Sequence, residues 1–173
     1  VDGEIVNAFT LSNDSGMSVT LLNYGGIIKE LYFPNAKGEL INCVQDFDTL
    51  QGYIDDLSYR GAIVGRYANR IGHGTFTLNG QQYTLDKNGG EHNLHGGYAG
   101  FHKKLWQAST QEFTDSASVT FTLSSPDGEG GFPGNINVEA CYTLNQFNEL
   151  SLVIKATTDK ETPLSFTQHA YFT

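Results

Sequence analysis

Hydrophobic and polar residues alternate along most of this chain, and turns rich in Gly and Asn separate the alternating segments. The clearest examples run from Ser118 to Leu123, from Ile136 to Leu144 and from Leu150 to Ala156. A period of two sends successive side chains to opposite faces of a strand, so each segment is expected to bury one face. The pattern predicts an all-β protein in which helix is nearly absent.

In the first half of the chain the same pattern predicts strands joined by short turns. They are expected at Glu4–Leu11, Met17–Leu22, Ile27–Phe33 and Glu39–Val44, followed by a short helical turn within Asp46–Tyr53 and a loop at Asp55–Gly61. A β-hairpin is predicted for Thr75–Leu78 and Gln81–Leu85, because Asn79-Gly80 between them suits the two positive-φ positions of a type I′ turn.

The last segment, Pro163–Thr173, is predicted to be one alternating strand. If Leu164 and Phe166 face the core, the opposite face carries hydroxyl, imidazole and phenol groups. These come from Ser165, Thr167, His169 and Tyr171. Such a face suits a cleft for a polyhydroxylated ligand, but it also fits a strand face exposed to solvent. We expect residues 1–173 to form a single domain whose fold continues beyond Thr173, because native termini usually end in polar residues and this strand ends in aromatic ones.

Composition and charge exclude several classes of partner. The 173 residues include 39% hydrophobic residues and carry a net charge of −9, so neither a nucleic acid nor an anionic membrane surface is expected as a partner. No apolar run is long enough to span a bilayer, and Val1-Asp2-Gly3-Glu4 lacks the features of a signal peptide, so a cytoplasmic location is expected. Cys43 and Cys141 are predicted to be buried free thiols, because they are far apart and form no CxxC motif.

The loop Glu91–Gly97 is the first candidate for chemistry, because it combines two histidines with an acid and paired glycines. Histidine changes its charge near neutral pH, and glycine allows a ligand to approach the backbone. The spacing of His92 and His95 invites a metal site, but the loop is not helical and no HExxH motif or cysteine ligand accompanies it. We therefore expect no metal, and we interpret His73 and His102 as structural.

Three other features have both a functional and a structural interpretation. Arg66 and Arg70 lie in Gly65–Gly72 and could donate to ligand oxygens or pair with carboxylates; both interpretations stay open. The acids of Asp127–Gly134 could be those of a glycoside hydrolase, but four glycines and a proline favour a tight loop. Trp106 could stack on a sugar, although packing in the core is favoured.

Together these motifs resemble the aldose 1-epimerases, the galactose mutarotases. The matching segments, in family order, are Asn23–Gly26, Gly65–Gly72 (GRYANRIG), Asn93–Gly97 (NLHGG), Asp127–Gly134 (DGEGGFPG) and Thr162–Phe172 (TPLSFTQHAYF). The resemblance implies a large antiparallel β-sandwich whose concave face binds a monosaccharide such as galactose or glucose. It also implies interconversion of the α and β anomers by acid–base ring opening and reclosure, without a cofactor.

The resemblance also implies roles for particular residues. His169 matches the general acid, His95 matches the second imidazole near the ring oxygen, and Asn69 with Arg70 matches the pair that contacts sugar hydroxyls. His92 is not carried over as catalytic. Gln168 replaces the Asn more often found before the strand histidine, which leaves the local hydrogen bonding open.

The general base of the family is a glutamate from the part of the chain beyond the strand that holds His169, and a sugar-binding aspartate comes from there as well. Family chains are also substantially longer. We therefore expect these 173 residues to represent the N-terminal part of such a protein and to be inactive alone. The alternative is a β-sandwich of the same ancestry that binds carbohydrate without catalysis.

Overall fold

Two antiparallel sheets packed face to face form the fold, as the alternating pattern predicts. The computed structural model describes residues 1–173. In the first sheet the strands follow chain order: β1 (Ala8–Ser12), β2 (Ser18–Leu22), β3 (Ile27–Pro34) and β4 (Leu40–Asn42). All four predicted strands are present, although the first begins at Ala8 rather than Glu4.

Short helices and strands follow the first sheet, and the loops between them contain most of the residues discussed below. They are α1 (Leu50–Asp55), β5 (Ile63–Val64), β6 (Arg70–Ile71), β7 (Thr75–Leu78), β8 (Gln81–Thr84) and β9 (Asn93–Leu94), with single 3-10 turns at Gly72–Gly74 and Phe101–Lys103. The predicted helical turn is α1, shifted along the chain because Thr49 caps it by accepting a hydrogen bond from the Gly52 amide at 3.3 Å. No helix here is long and apolar enough to cross a membrane.

The second sheet contains the longest strands. It consists of β10 (Gln107–Glu112), β11 (Ser116–Ser125), β12 (Ile136–Asn145) and β13 (Leu150–Thr158), with a 3-10 turn at Glu129–Gly131 between β11 and β12. The last three of these strands confirm the sequence prediction. Strand β10 was not predicted, because all six of its residues are exposed and its sequence QASTQE shows no apolar alternation.

The main core lies between the two sheets. Inward side chains from β1, β2 and β3 meet those from β11 and β12, and Phe9 contacts Phe121 edge-on with ring centroids 5.9 Å apart. The buried residues include Val19, Leu21, Ile28, Val119, Phe121, Val138, Ala140, Tyr142 and Leu144. Trp106 is also buried in this core, as predicted, and its indole N–H donates to the Phe101 carbonyl at 3.3 Å.

The β7–β8 hairpin confirms the prediction made from Asn79-Gly80. Asn79 and Gly80 have φ values of 52° and 76°, and Leu78 pairs with Gln81 directly across the turn. Because Phe76 pairs with Tyr83, their rings stack with centroids 5.1 Å apart. The turn residues therefore set the register of the hairpin.

The prediction of one continuous strand over Pro163–Thr173 is wrong. Only β14 (Thr167–Gln168) is a strand, and it pairs with β5. The other backbone amides of the segment bond to separate parts of the chain, from Arg66 to Cys43, so no single partner strand exists. The predicted alternation of faces still holds for Leu164, Phe166 and Ala170, which pack against the core.

Both cysteines are free thiols, but the prediction that they are buried is wrong. Cys141 lies on β12 between Ala140 and Tyr142, whose side chains face the core. Side chains alternate along a strand, so Cys141 must face the other side and is half-buried. Cys43 follows the edge strand β4 and is half-buried as well.

Candidate active site

Two histidines from distant parts of the chain, His95 and His169, meet at the centre of the candidate site. Their ring centroids lie 5.3 Å apart, and the rings are nearly perpendicular at 88°. The ring of Tyr171 also packs against His169, with centroids 5.3 Å apart. The site therefore brings two imidazoles, side chains that can donate or accept hydrogen bonds and protons, into direct contact.

A short antiparallel ladder holds His95. Strand β6 pairs with β9, and just beyond the ladder Asn69 and His95 have positive φ values of 68° and 51°. The Asn69 amide donates to Nδ1 of His95 at 2.9 Å, and the His95 amide donates to the Asn69 carbonyl at 3.0 Å. Because Nδ1 accepts a hydrogen bond, the proton of the neutral ring lies on Nε2, which makes Nε2 the donor.

The paired glycines after His95 are required by contacts within the chain. Gly96 has a φ of +88°, and a Cβ at this position would lie 2.1 Å from the carbonyl oxygen of Gly65. At Gly97 a Cβ would lie 2.7 Å from a carboxylate oxygen of Asp86. These glycines therefore fit the loop against its neighbours, a different reason from the approach of a ligand that the sequence suggested.

The segment after β14 positions His169 through its backbone and through Gln168. The His169 amide donates to the Ala62 carbonyl at 2.9 Å, and its carbonyl accepts from the Gly61 amide at 3.0 Å. The Gln168 side chain donates to the Gly61 carbonyl and accepts from the Ala170 amide, both at 2.5 Å. The Gln168 side chain, whose hydrogen bonds the sequence left open, thus connects the segment before His169 to the loop that precedes β5.

The electrostatics of the site favour the neutral form of His95. Burial is the main cause that lowers the pKa of His95, and the charges of His169 and Arg70 lower it further. Removing an imidazolium from water costs free energy, and a neighbouring positive charge adds to this cost. His95 is therefore suited to donate a hydrogen bond from Nε2 without carrying a charge.

Tyr59 belongs to the same cluster, although sequence reasoning assigned it only to the loop Asp55–Gly61. Its ring contacts His95, His102 and His169, with centroid distances of 4.5, 4.4 and 5.9 Å. His102 is buried, and burial with the charge of Lys103 lowers its pKa to about 3. An isolated tyrosine in a polar loop gave no periodic signal from which this position could be predicted.

Asn69 and Arg70 lie exposed beside the histidine pair. Neither side chain makes a hydrogen bond or an ion pair within the chain. Arg70 lines an open cleft of about 760 Å³ together with Tyr67, Phe76 and Glu161. An amide and a guanidinium without internal partners are available as hydrogen-bond donors to a ligand.

Arg66, by contrast, is a structural residue. It is 2% exposed, and its guanidinium donates to the hydroxyl and carbonyl of Ser125 and to the carbonyls of Pro126 and Pro133, at distances of 2.8 to 3.1 Å. Arg66 therefore matches neither of its two predicted roles, a contact with a ligand or a direct ion pair with a carboxylate. Arg66 instead bonds to the loop that follows β11.

His92 and His73 pair with each other rather than with the central histidines. The His73 amide donates to Nδ1 of His92 at 2.9 Å, and the two rings lie 5.4 Å apart. This repeats, at the other end of the β6–β9 ladder, the amide-to-imidazole bond that holds His95. No group of three or more His, Cys, Asp or Glu side chains in the chain is arranged so that it could hold a metal ion.

The carboxylates of Asp127–Gly134 have structural partners, and the predicted tight loop is present. Asp127 pairs with Lys160 at 3.1 Å and accepts from the Gly134 amide at 2.6 Å. Glu129 pairs with Lys104 and accepts from the Ser125 hydroxyl. Neither acid contacts the central histidines.

The structure is thus a β-sandwich in which two imidazoles lie in contact beside an unpaired amide and an unpaired guanidinium. The chain belongs to the aldose 1-epimerase family, since the family model described as "Aldose 1-epimerase" matches residues 7–173. It is 37% identical over 171 residues to the aldose 1-epimerase of Escherichia coli (strain K12) and 41% identical over 167 residues to the galactose mutarotase of Bos taurus. These alignments cover 99% and 96% of this chain but 49% and 47% of the relatives.

Solved structures agree with this assignment. A GalM/aldose epimerase homologue from C. elegans superimposes with a TM-score of 0.91 at 33% identity, and a galactose 1-epimerase from Lactobacillus acidophilus NCFM with 0.89 at 31% identity. They cover 98% and 99% of this chain, which in turn covers 51% and 50% of theirs. The chain therefore has the fold of the matching half and spans about half the length of the curated relatives it matches.

Proposed function

We propose that this chain carries the acid side of a mutarotase site, which interconverts the α and β anomers of a hexose such as galactose or glucose. The proposal rests on one observation above all, the contact between the rings of His95 and His169 at 5.3 Å. The names of the relatives support a monosaccharide as the ligand, because they include aldose 1-epimerase and galactose mutarotase.

Anomer exchange needs an acid at the ring oxygen of the sugar and a base at the anomeric hydroxyl. His169 protonates the ring oxygen as the bond from this oxygen to C1 breaks. His95 donates a hydrogen bond to the same oxygen from Nε2, since its Nδ1 is occupied by the Asn69 amide. Rotation about the C1–C2 bond followed by reclosure gives the other anomer. Acid–base catalysis of this kind contributes about 10²–10⁴-fold for each group.

Asn69 and Arg70 hold the sugar hydroxyls in this proposal. Both side chains are exposed and have no partner within the chain, so binding a ligand breaks no internal bond. The fixed donors of a guanidinium can bind two oxygens at once, which restrains the ring while the protons move.

The proton of the anomeric hydroxyl requires a base that the described contacts do not provide. All four ion pairs of the chain use lysine, and no carboxylate pairs with a histidine. As the resemblance implies, we expect this base to be a carboxylate outside these residues. A second candidate function, a β-sandwich that binds the sugar without converting it, needs no such base.

Sugar binding is tested by NMR titration of the histidine side chains with D-galactose and D-glucose. We expect the ring signals of His95 and His169 to shift on addition of sugar, while those of the exposed His73 stay unchanged. Arg70→Met should weaken the binding, and His73→Gln should leave it intact. If neither central histidine responds to either sugar, the proposed site is wrong.

Catalysis is tested separately by polarimetry of freshly dissolved α-D-glucose. We expect the 173-residue chain alone to accelerate the change in rotation little or not at all. Where turnover is measured in an assembly that supplies the carboxylate, His169→Gln should abolish it with only modest loss of binding. Sugar binding without turnover in such an assembly would favour the second candidate function.

A further inference from the structure

We propose that Tyr59 is a positioning residue, whose ring fixes the orientation of the His95 and His169 imidazoles relative to each other. The role of Tyr59 in catalysis rests on the proposed mutarotase function. The geometry itself does not depend on the identity of the ligand.

The ring of Tyr59 contacts both central histidines at the same time. It packs against His95 at an interplanar angle of 67° and lies nearly parallel to His169 at 29°. A third contact, with the buried ring of His102 at a centroid distance of 4.4 Å, further limits how far Tyr59 can move. Aromatic rings in contact attract each other beyond the effect of the area they bury, and edge-on and offset arrangements such as these are favoured. One side chain therefore restrains both imidazoles.

The hydroxyl of Tyr59 is tied to the strand that leads into His95. Asn88 donates from its side chain to this hydroxyl at 3.2 Å and to the Leu94 carbonyl at 2.8 Å, and it accepts from the Leu94 amide at 2.8 Å. Leu94 is the last residue of β9, directly before His95. The side-chain amide of Asn88 thus links the Tyr59 ring to the backbone directly before His95.

The backbone that presents Tyr59 is equally constrained. Tyr59 has a positive φ of 60°, which is uncommon for a non-glycine residue and needs support from its surroundings. The Asp56 carboxylate provides this support by accepting from the amides of Ser58 and Arg60 at 2.9 and 2.8 Å.

Lys103 fixes this loop to the rest of the site. Its ammonium group donates to the carbonyls of Tyr53, Ile54 and Asp56 at 2.7 to 3.2 Å, and Lys103 directly follows His102 in the chain. The whole arrangement holds a tyrosine in an unfavourable backbone conformation so that its ring lies among the imidazoles.

Removal of the ring should release the histidines without unfolding the chain. We expect Tyr59→Leu to abolish the nuclear Overhauser effects between the ring protons of His95 and His169. A released His95 ring would also turn away from the Asn69 amide, which should average the ¹⁵N shifts of its two nitrogens. In the unaltered chain these shifts should report an unprotonated Nδ1 and a protonated Nε2. Tyr59→Phe keeps the ring and should keep both signatures.

The matched control is Tyr83→Leu, because Tyr83 is a half-buried tyrosine that stacks on Phe76 at 5.1 Å, away from the histidines. It should leave the signals of His95 and His169 unchanged. A folded Tyr59→Leu variant with both signatures intact would overturn the inference. If Tyr59→Leu does not fold, Tyr59→Met gives the same comparison, and failure of both to fold would overturn the inference by showing that the ring serves the fold.

No sugar is needed for these measurements. A loss of histidine orientation in Tyr59→Leu would therefore support the inference even if the sugar titration of the unaltered chain fails, so the two proposals are separable.

Discussion

Acid should destabilise this fold through His102, whose buried ring must be neutral. His102 is 9% exposed, and burial is the main cause that lowers its pKa from 6.5 to about 3, with the charge of Lys103 contributing. In the unfolded chain the ring is hydrated and regains its ordinary pKa. Between these two values the unfolded state binds a proton that the folded state does not, so stability falls as the pH falls through this window.

The size of the effect follows from the difference between the two pKa values. Each pH unit within the window changes the free energy of unfolding by at most about 1.4 kcal/mol. A decrease from pH 7 to pH 5 crosses the upper part of the window and should cost about 2 kcal/mol through His102 alone. Domains are stable by only about 5–15 kcal/mol in total, so this loss is measurable.

Urea unfolding of the unaltered chain and of His102→Gln at both pH values tests this reasoning. The variant has no titrating group at this position, so its stability should fall by about 2 kcal/mol less than that of the unaltered chain over the same range. His95 also has a lowered pKa, but it contributes in both proteins and largely cancels from the difference. His73→Gln, at an exposed position, is the control and should behave as the unaltered chain. Equal losses in the unaltered chain and His102→Gln would refute the argument.

Two further predictions concern the loops that support the site. Arg66→Met should lower the free energy of unfolding by about 3 kcal/mol, roughly 1 kcal/mol for each of the three carbonyls left without a donor. The control is Arg70→Met at an exposed position, which should change this free energy by less than about 0.5 kcal/mol in the same urea experiment. Equal effects of the two substitutions would contradict the structural role of Arg66. Gly96→Ala should destabilise more than Gly128→Ala in thermal unfolding: both glycines have a φ above +80°, but only at Gly96 would a Cβ clash, 2.1 Å from the Gly65 carbonyl oxygen. Similar melting temperatures for the two alanine variants would show that the loop around Gly96 can shift.

Local pattern was a reliable guide wherever one face of an element is buried. Strands β11, β12 and β13 were predicted because their alternation reflects packing against a single core. Strand β10 was missed because all of its residues are exposed, and the terminal strand was drawn too long because that segment bonds to several separate parts of the chain. Hydrogen bonding of this kind leaves little trace in the order of apolar residues.

Some residues of the candidate site could be predicted from the sequence, and others could be found only in the structure. His95, His169, Asn69 and Arg70 could be named from family motifs, and their proposed roles remain predictions. Motifs could not reveal that Arg66 is internal, because its partners are backbone carbonyls, which every residue possesses. They also gave no sign of Tyr59, because its importance comes from the rings that surround it.

The class of fold, the β7–β8 hairpin and the family could all be predicted from the amino-acid sequence, because they depend on periodicity, turn chemistry and short motifs that are local in the chain. Which groups meet depends on how the chain folds. The contact between His95 and His169, the tautomer of His95 and the neutral state of His102 all follow from long-range packing and burial. Proton chemistry depends on distance and solvation, and both are properties of the folded chain.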